Sequence, residues 1–194
     1  DAVENVSQDR KHTFGFLHLI CSCEEFFPKF SLRNKDYESA SLLIENNSSE
    51  LLEPISEYDC SRSLLALQAW MTESSELSLS DSFSIESGDM HRMAEMANWL
   101  SYCLREISKH VDRADLLEEL DDFRKRIVYG IREELLDLVR VKGIGRVRAR
   151  ILYKHKIKNL DDLAKIPVNK LAEIDKIGST IADNIKSELR KVRY

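Results

Sequence analysis

Little in this chain breaks a helix. Its 194 residues include three prolines and six glycines, the residues that interrupt helices and mark tight turns. No segment shows a convincing alternation of apolar and polar residues, which speaks against a sheet-built fold. The four cysteines, Cys21, Cys23, Cys60 and Cys103, form no C-x-x-C pair. Disulfide scaffolding and structural zinc are therefore not expected, and a reducing cytoplasm is the natural setting. Long apolar runs are missing too: none reaches the about 18 residues that a membrane span requires. No basic-then-apolar leader opens the chain. The first residue is Asp1 rather than Met, which reads as a piece of something longer.

What is present is a composition of 43% hydrophobic and 32% charged residues with a net charge of -5. Taken whole, that charge argues against a nucleic-acid ligand. Division of the chain reverses the argument. Residues 130–194 carry 16 Lys and Arg against 9 Asp and Glu, a balance of +7, while residues 1–129 carry 13 against 25, a balance of -12. This asymmetry predicts two modules, 1–129 and 130–194, the second being the one suited to phosphate backbones.

Helical periodicity dominates the first module. Thr13 to Phe27 reads as a buried helix, and Asp36 to Ile44 as a shorter one. Asp59 is placed to cap a helix running through Met71, with Leu64, Leu67 and Met71 in register. Ser74 to Asp89 is serine-rich and reads as a loop with a short helical turn. A long helix follows, about Met90 to Val111. Asp112 or Asp115 opens another, with Leu116, Leu120, Phe123 and Ile127 on its apolar face, and Gly130 ends it. The expected fold class is all-α, a helical bundle followed by a small tandem helix-hairpin-helix domain.

The second module carries the sharper pattern. A short helix from Glu133 to Arg140 runs into Lys142-Gly143-Ile144-Gly145, after which helical spacing resumes from Arg146 to His155. Gly143 can take the left-handed conformation that ends a helix. Ile144 is apolar and suited to plug the gap between helices. Gly145 lacks a Cβ, so a phosphate can approach the backbone at the N-terminus of the next helix. Ala149 permits close helix packing. The pattern recurs as Ile174-Asp175-Lys176-Ile177-Gly178 with Ala182. There Lys176 replaces the first glycine, which puts the tight first turn of the second copy in question. Arg146, Arg150 and Lys154 form one stripe of the helix, with Arg148 on the other side. Arg148 and Arg150 are thus not expected to grip the same phosphate.

On the Met90–Val111 helix, Met93, Ala97, Leu100, Leu104, Ile107 and Val111 lie within about 80° of one another and define the expected core stripe. Arg92 and Trp99, seven apart, are nearly eclipsed about 100° away from it. A tryptophan face can stack on an unpaired base, and an arginine two turns earlier can take a phosphate. Packing of Trp99 against a neighbouring helix is the structural alternative.

The succession Thr13-Phe14-Gly15-Phe16-Leu17-His18-Leu19-Ile20, Ala66-Leu67-Gln68-Ala69-Trp70-Met71, Gly88-Asp89-Met90 and Asn98-Trp99-Leu100, closing on Arg148-Ala149-Arg150 in a hairpin domain, resembles the C-terminal region of archaeal Hjm-type DNA helicases. These are ski-like, superfamily-two motors that unwind forked or branched DNA from 3′ to 5′. The resemblance covers nearly the whole chain. It implies that the bundle is a ratchet domain whose long helix follows the translocating strand, with Arg92 and Trp99 on the bases. It also implies that the last domain binds exiting single strand through Arg148 and Arg150. Lys142, Gly143, Gly145, Arg146 and Lys154 complete the expected DNA-binding set. The resemblance further implies a monomer that works with motor domains of the same parent chain, where ATP and magnesium bind.

The chain itself has no G-x-x-x-x-G-K-[ST] loop and no D-E-x-H box. Gly178-Ser179-Thr180 lacks the lysine and the upstream glycine. ATP hydrolysis by the family mechanism is therefore not expected here, nor any cofactor or catalytic residue. Two other readings stay open. One is a stand-alone helical interaction module whose hairpin domain is structural. The other is a self-contained hydrolase, for which His12 with His18, or His18 with Cys21 and Cys23, can be imagined as metal ligands. Their spacing fits no common metal site.

Overall fold

The computed structural model describes residues 11–192. Every regular element among them is a helix, and the fold is all-α. The chain divides into two compact units, one ending at Val128 and the other beginning at Tyr129.

In the first unit, α1 (Thr13–Ser22) packs on α3 (Arg62–Met71) and α5 (Ser87–His110), while α2 (Tyr37–Asn46) and α4 (Glu76–Phe83) each meet α3. The last helix, α6 (Leu117–Tyr129), buries Leu120, Phe123 and Ile127. It is tied to α3 where Trp70 Nε1 donates to the Ile127 carbonyl at 2.8 Å. Phe14, Phe16, Leu17, Leu67, Met71, Met93 and Phe123 form the centre of a continuous apolar core.

Several boundaries differ from those the sequence suggests. α1 stops at Ser22 because Cys23 turns to extended backbone, φ -55° and ψ 143°. The chain then buries Phe26 and leaves Phe27 in solvent. α3 is capped by Ser61, whose hydroxyl accepts from the Leu64 amide at 3.2 Å. Asp59 instead closes a separate turn, accepting from the Ser56 amide at 2.8 Å. The serine-rich segment contains a true helix, α4, capped by Ser75 and held by the buried Leu79.

The buried face of α5 is also offset from the expected stripe. Met93, Ala97, Leu100 and Leu104 are buried, but Ile107 is 52% exposed. Ser101 and Ser108 are fully buried instead, and Ser108 Oγ donates to the Leu104 carbonyl at 2.9 Å. At about 100° per residue, the buried Met90, Ala94, Ser101 and Ser108 all lie to one side of the expected stripe and Ile107 at its opposite edge, so the buried face is rotated toward them along the whole helix.

The second unit is built from four short helices and one long one. A 3-10 turn (Glu133–Leu135) leads into α7 (Leu136–Val139), then α8 (Arg146–Lys154), α9 (Leu160–Lys165), α10 (Val168–Ala172) and α11 (Ser179–Val192). Its own core contains Leu135, Leu138, Ile144, Ala149, Leu152, Leu163, Leu171, Ile177, Ala182 and Ile185.

Candidate nucleic-acid interface

The turn between α7 and α8 is set by two backbone bonds. The Val141 amide donates to the Leu138 carbonyl at 3.2 Å, and the Ile144 amide to the Val141 carbonyl at 3.0 Å. Gly143 sits between them with φ 96°, a conformation that L side chains rarely adopt. Ile144 is buried as the plug. Gly145 is the N-cap of α8, with φ -97° and ψ -174°. Its carbonyl accepts the first helical bond, from Ala149 at 2.9 Å. A Cβ at Gly145 would meet nothing within 4 Å. The backbone here is thus open to an approaching group, and glycine supplies no side-chain cap to the first-turn amides. Those amides and the positive dipole end are the elements of an anion site.

The turn between α10 and α11 repeats this geometry bond for bond. Ile174 donates to Leu171 at 3.3 Å, Ile177 to Ile174 at 3.0 Å and Ala182 to Gly178 at 2.9 Å. Lys176 takes the place of Gly143 and accepts a left-handed φ of 59°. The sequence puts this turn in question, yet it forms. The buried Ile177 and Ala182 lock the hairpin around it. The surroundings of the two turns differ: Arg146, Arg148 and Arg150 in the first correspond to Ser179, Ile181 and Asp183 in the second.

The basic residues of α8 do not all face solvent in the same way. Lys142 and Lys154 are exposed, and Arg146 is half-buried. Arg150 pairs with Glu134 at 2.8 Å and stands over the Tyr153 ring at 5.2 Å. Arg148 turns inward across the hairpins. Its Nη1 donates to the Gly143 carbonyl at 2.8 Å, and its Nε to the Lys176 carbonyl at 3.1 Å. Lys186 is used internally as well, its ammonium donating to the Leu163 and Ala164 carbonyls at 2.6 and 3.0 Å. Desolvation lowers its pKa. The +7 balance of this segment therefore overstates the charge it can offer a ligand. The sequence contains no local signal for these long-range commitments.

In the first unit, Arg92 and Trp99 lie on the solvent side of α5. Trp99 is 54% exposed. Arg92 pairs with Asp89 one turn earlier, and its side chain is 63% exposed. Tyr102, one turn beyond Trp99, is also exposed, with the Arg124 guanidinium 5.3 Å from its ring centre.

His12, His18, Cys21 and Cys60 are engaged in packing. His12 Nδ1 lies 3.2 Å from Glu119, and His18 Nε2 lies 3.3 Å from the Ser22 hydroxyl. Burial raises the pKa of Cys60 to about 11 and pushes that of Cys21 well above the thiol range, so both stay protonated and inert. Among the described residues, no group of three or more His, Cys, Asp or Glu is arranged to hold a metal ion. No helix among them is long and apolar enough to cross a membrane.

The described residues thus comprise a helical bundle with an exposed Arg–Trp row on α5 and a domain of paired helix-hairpin-helix turns. Residues 135–191 match the family described as a SAM-like helix-hairpin-helix tandem, and residues 14–130 match archaeal helicase, domain 4. The chain belongs to this archaeal helicase family and corresponds to the C-terminal region of its Hel308-type members. It is 36% identical over 129 residues to the ATP-dependent DNA helicase Hel308 of Pyrococcus horikoshii, covering 66% of this chain and 18% of the relative. The Hel308 proteins of Thermococcus kodakarensis and Thermoplasma acidophilum are 30% and 31% identical. Each of those matches covers 91% of this chain, and 16% and 25% of the relative respectively. The chain therefore spans about a quarter or less of the length of these relatives.

Proposed function

We propose that this chain is the part of an ATP-dependent 3′ to 5′ DNA helicase that holds single-stranded DNA at a fork or branch. On this reading α5 lies along the translocating strand, with Trp99 stacking on a base and Arg92 taking a phosphate or a second base. The first hairpin holds the exiting strand by its backbone. Gly143 and Gly145 open the approach, and Lys142, Arg146, Arg150 and Lys154 supply positive charge. Motor domains of the same parent protein provide ATP hydrolysis, with magnesium, and the protein acts as a monomer in the cytoplasm.

The observation that carries this reading is Gly145. It is a bare helix N-cap with open space where a side chain would stand, flanked by basic residues in a chain related to DNA helicases. The test is a fluorescence-anisotropy titration of the chain with single-stranded, duplex and forked DNA at several salt concentrations. Single-stranded and forked DNA should bind in preference to duplex. If about four phosphates are neutralised, the log–log salt slope should be about -3. No binding at low salt, or a slope near zero, overturns the reading.

A further inference from the structure

Arg148 holds an unusual position between the two hairpins. Its guanidinium donates from one nitrogen to the Gly143 carbonyl at 2.8 Å and from another to the Lys176 carbonyl at 3.1 Å. Gly143 and Lys176 are the corresponding residues of the two turns, and each has positive φ. One side chain therefore clasps the same carbonyl in both halves of the tandem. Both carbonyls lie in the turns that connect the helices, and each accepts a bond from a charged donor.

We propose that Arg148 is a positioning residue: it ties the first hairpin turn to the second and so fixes the approach at Gly145, rather than meeting DNA itself. This rests on the reading of the first hairpin as a phosphate site. In the second copy, Ser179, Ile181 and Asp183 stand where the first has Arg146, Arg148 and Arg150. That exchange suits a buttress better than a second grip. A lysine at 148 keeps the charge but has a single donor nitrogen, without the guanidinium's fixed fork. The two roles of Arg148 are therefore separable by one conservative substitution.

The test compares the unaltered chain with Arg148→Lys, Arg148→Ala and Arg146→Ala, each checked by circular dichroism for helical content. Affinity for a labelled oligothymidylate is measured by anisotropy, and backbone amide shifts by NMR. Arg148→Lys should lose affinity about as much as Arg148→Ala, on the order of tenfold. Its amide shifts should move together in residues 143–146 and 176–179. If Arg148→Lys binds like the unaltered chain while Arg148→Ala does not, Arg148 is a direct charge contact and the proposal is wrong. It is also wrong if neither variant loses affinity, or if only one turn shifts. NMR reads the clasp without DNA: failure of the unaltered chain to bind DNA sinks the phosphate-site reading, whereas failure of the paired shifts sinks the clasp.

Discussion

Lys176 occupies in the second hairpin the position that Gly143 occupies in the first, and both hold positive φ, 59° and 96°. The same backbone turn is thus built once with the residue that favours it and once with a residue that does not. A left-handed conformation costs an L-residue about 1–2 kcal/mol. The second turn carries that cost while Ile177 and Ala182 pack beneath it.

Exchange at these two positions should therefore be asymmetric. Lys176→Gly should leave the melting temperature unchanged or raise it, since relief of the left-handed strain offsets the added freedom of the unfolded chain. Gly143→Ala should lower stability by about 1–2 kcal/mol, although a Cβ there would touch nothing within 4 Å. Urea titrations of both variants check this. Equal effects of the same sign would show that backbone conformation does not govern either turn.

The two tryptophans should behave oppositely. Trp70 is half-buried, packs against the core and donates to Ile127. Its truncation to alanine should cost about 3 kcal/mol. Trp99→Ala, at a residue 54% exposed, should cost well under 1 kcal/mol. In a Trp70→Phe background, Trp99 is the sole tryptophan of the chain, and its fluorescence should be quenched by oligothymidylate. A large stability loss in Trp99→Ala, or an emission indifferent to DNA, would remove Trp99 from the interface.

Gly15 and Gly145 should separate stability from binding. A Cβ on Gly15 would stand 2.6 Å from the Glu50 carbonyl oxygen and 2.8 Å from Leu52 Cγ. Gly15→Ala should thus destabilise the bundle by about 1–3 kcal/mol. Gly145→Val enters open space with an extended φ, so the fold should persist while DNA affinity falls. Thermal melts and anisotropy on the same two variants decide the matter. A Gly145→Val protein that folds and binds normally would leave the first hairpin with a structural role only.

Stability should also fall on mild acidification because of His18. Burial lowers its pKa, with Asp59 opposing, so the folded state favours the neutral ring more than the unfolded chain does. The unfolded imidazole titrates near about 6.5. The unfolded state then binds more protons as pH drops, and stability present above that value is lost as pH falls toward the lower folded value. Urea midpoints from pH 8 to 5 should decline more steeply for the unaltered chain than for His18→Gln. Superimposable profiles would assign the acid sensitivity elsewhere.

Local pattern determined much of this protein. The scarcity of proline and glycine, the periodicity of α5 and α6, and the two glycine-marked hairpins are properties of neighbouring residues, so the all-α class and the location of the Gly143–Gly145 turn could be read directly. The Arg92–Trp99 row was legible for the same reason, since seven residues make almost two turns of helix. Where competing local signals were close, tertiary packing settled the result. Ser61 rather than Asp59 caps α3, the serine-rich stretch folds as α4 around Leu79, and Ser108 displaces Ile107 from the buried face. The partners of the basic residues lay beyond any sequence pattern. Whether an arginine offers its charge to a ligand or spends it on a carbonyl depends on chain segments far apart in sequence. Arg148 reaches across to Lys176, Arg150 to Glu134, and Lys186 to the end of α9. The count of charges was fixed by the amino acids, but their availability was decided only in the folded chain, because each of these contacts joins segments 16 to 28 residues apart that no local pattern couples.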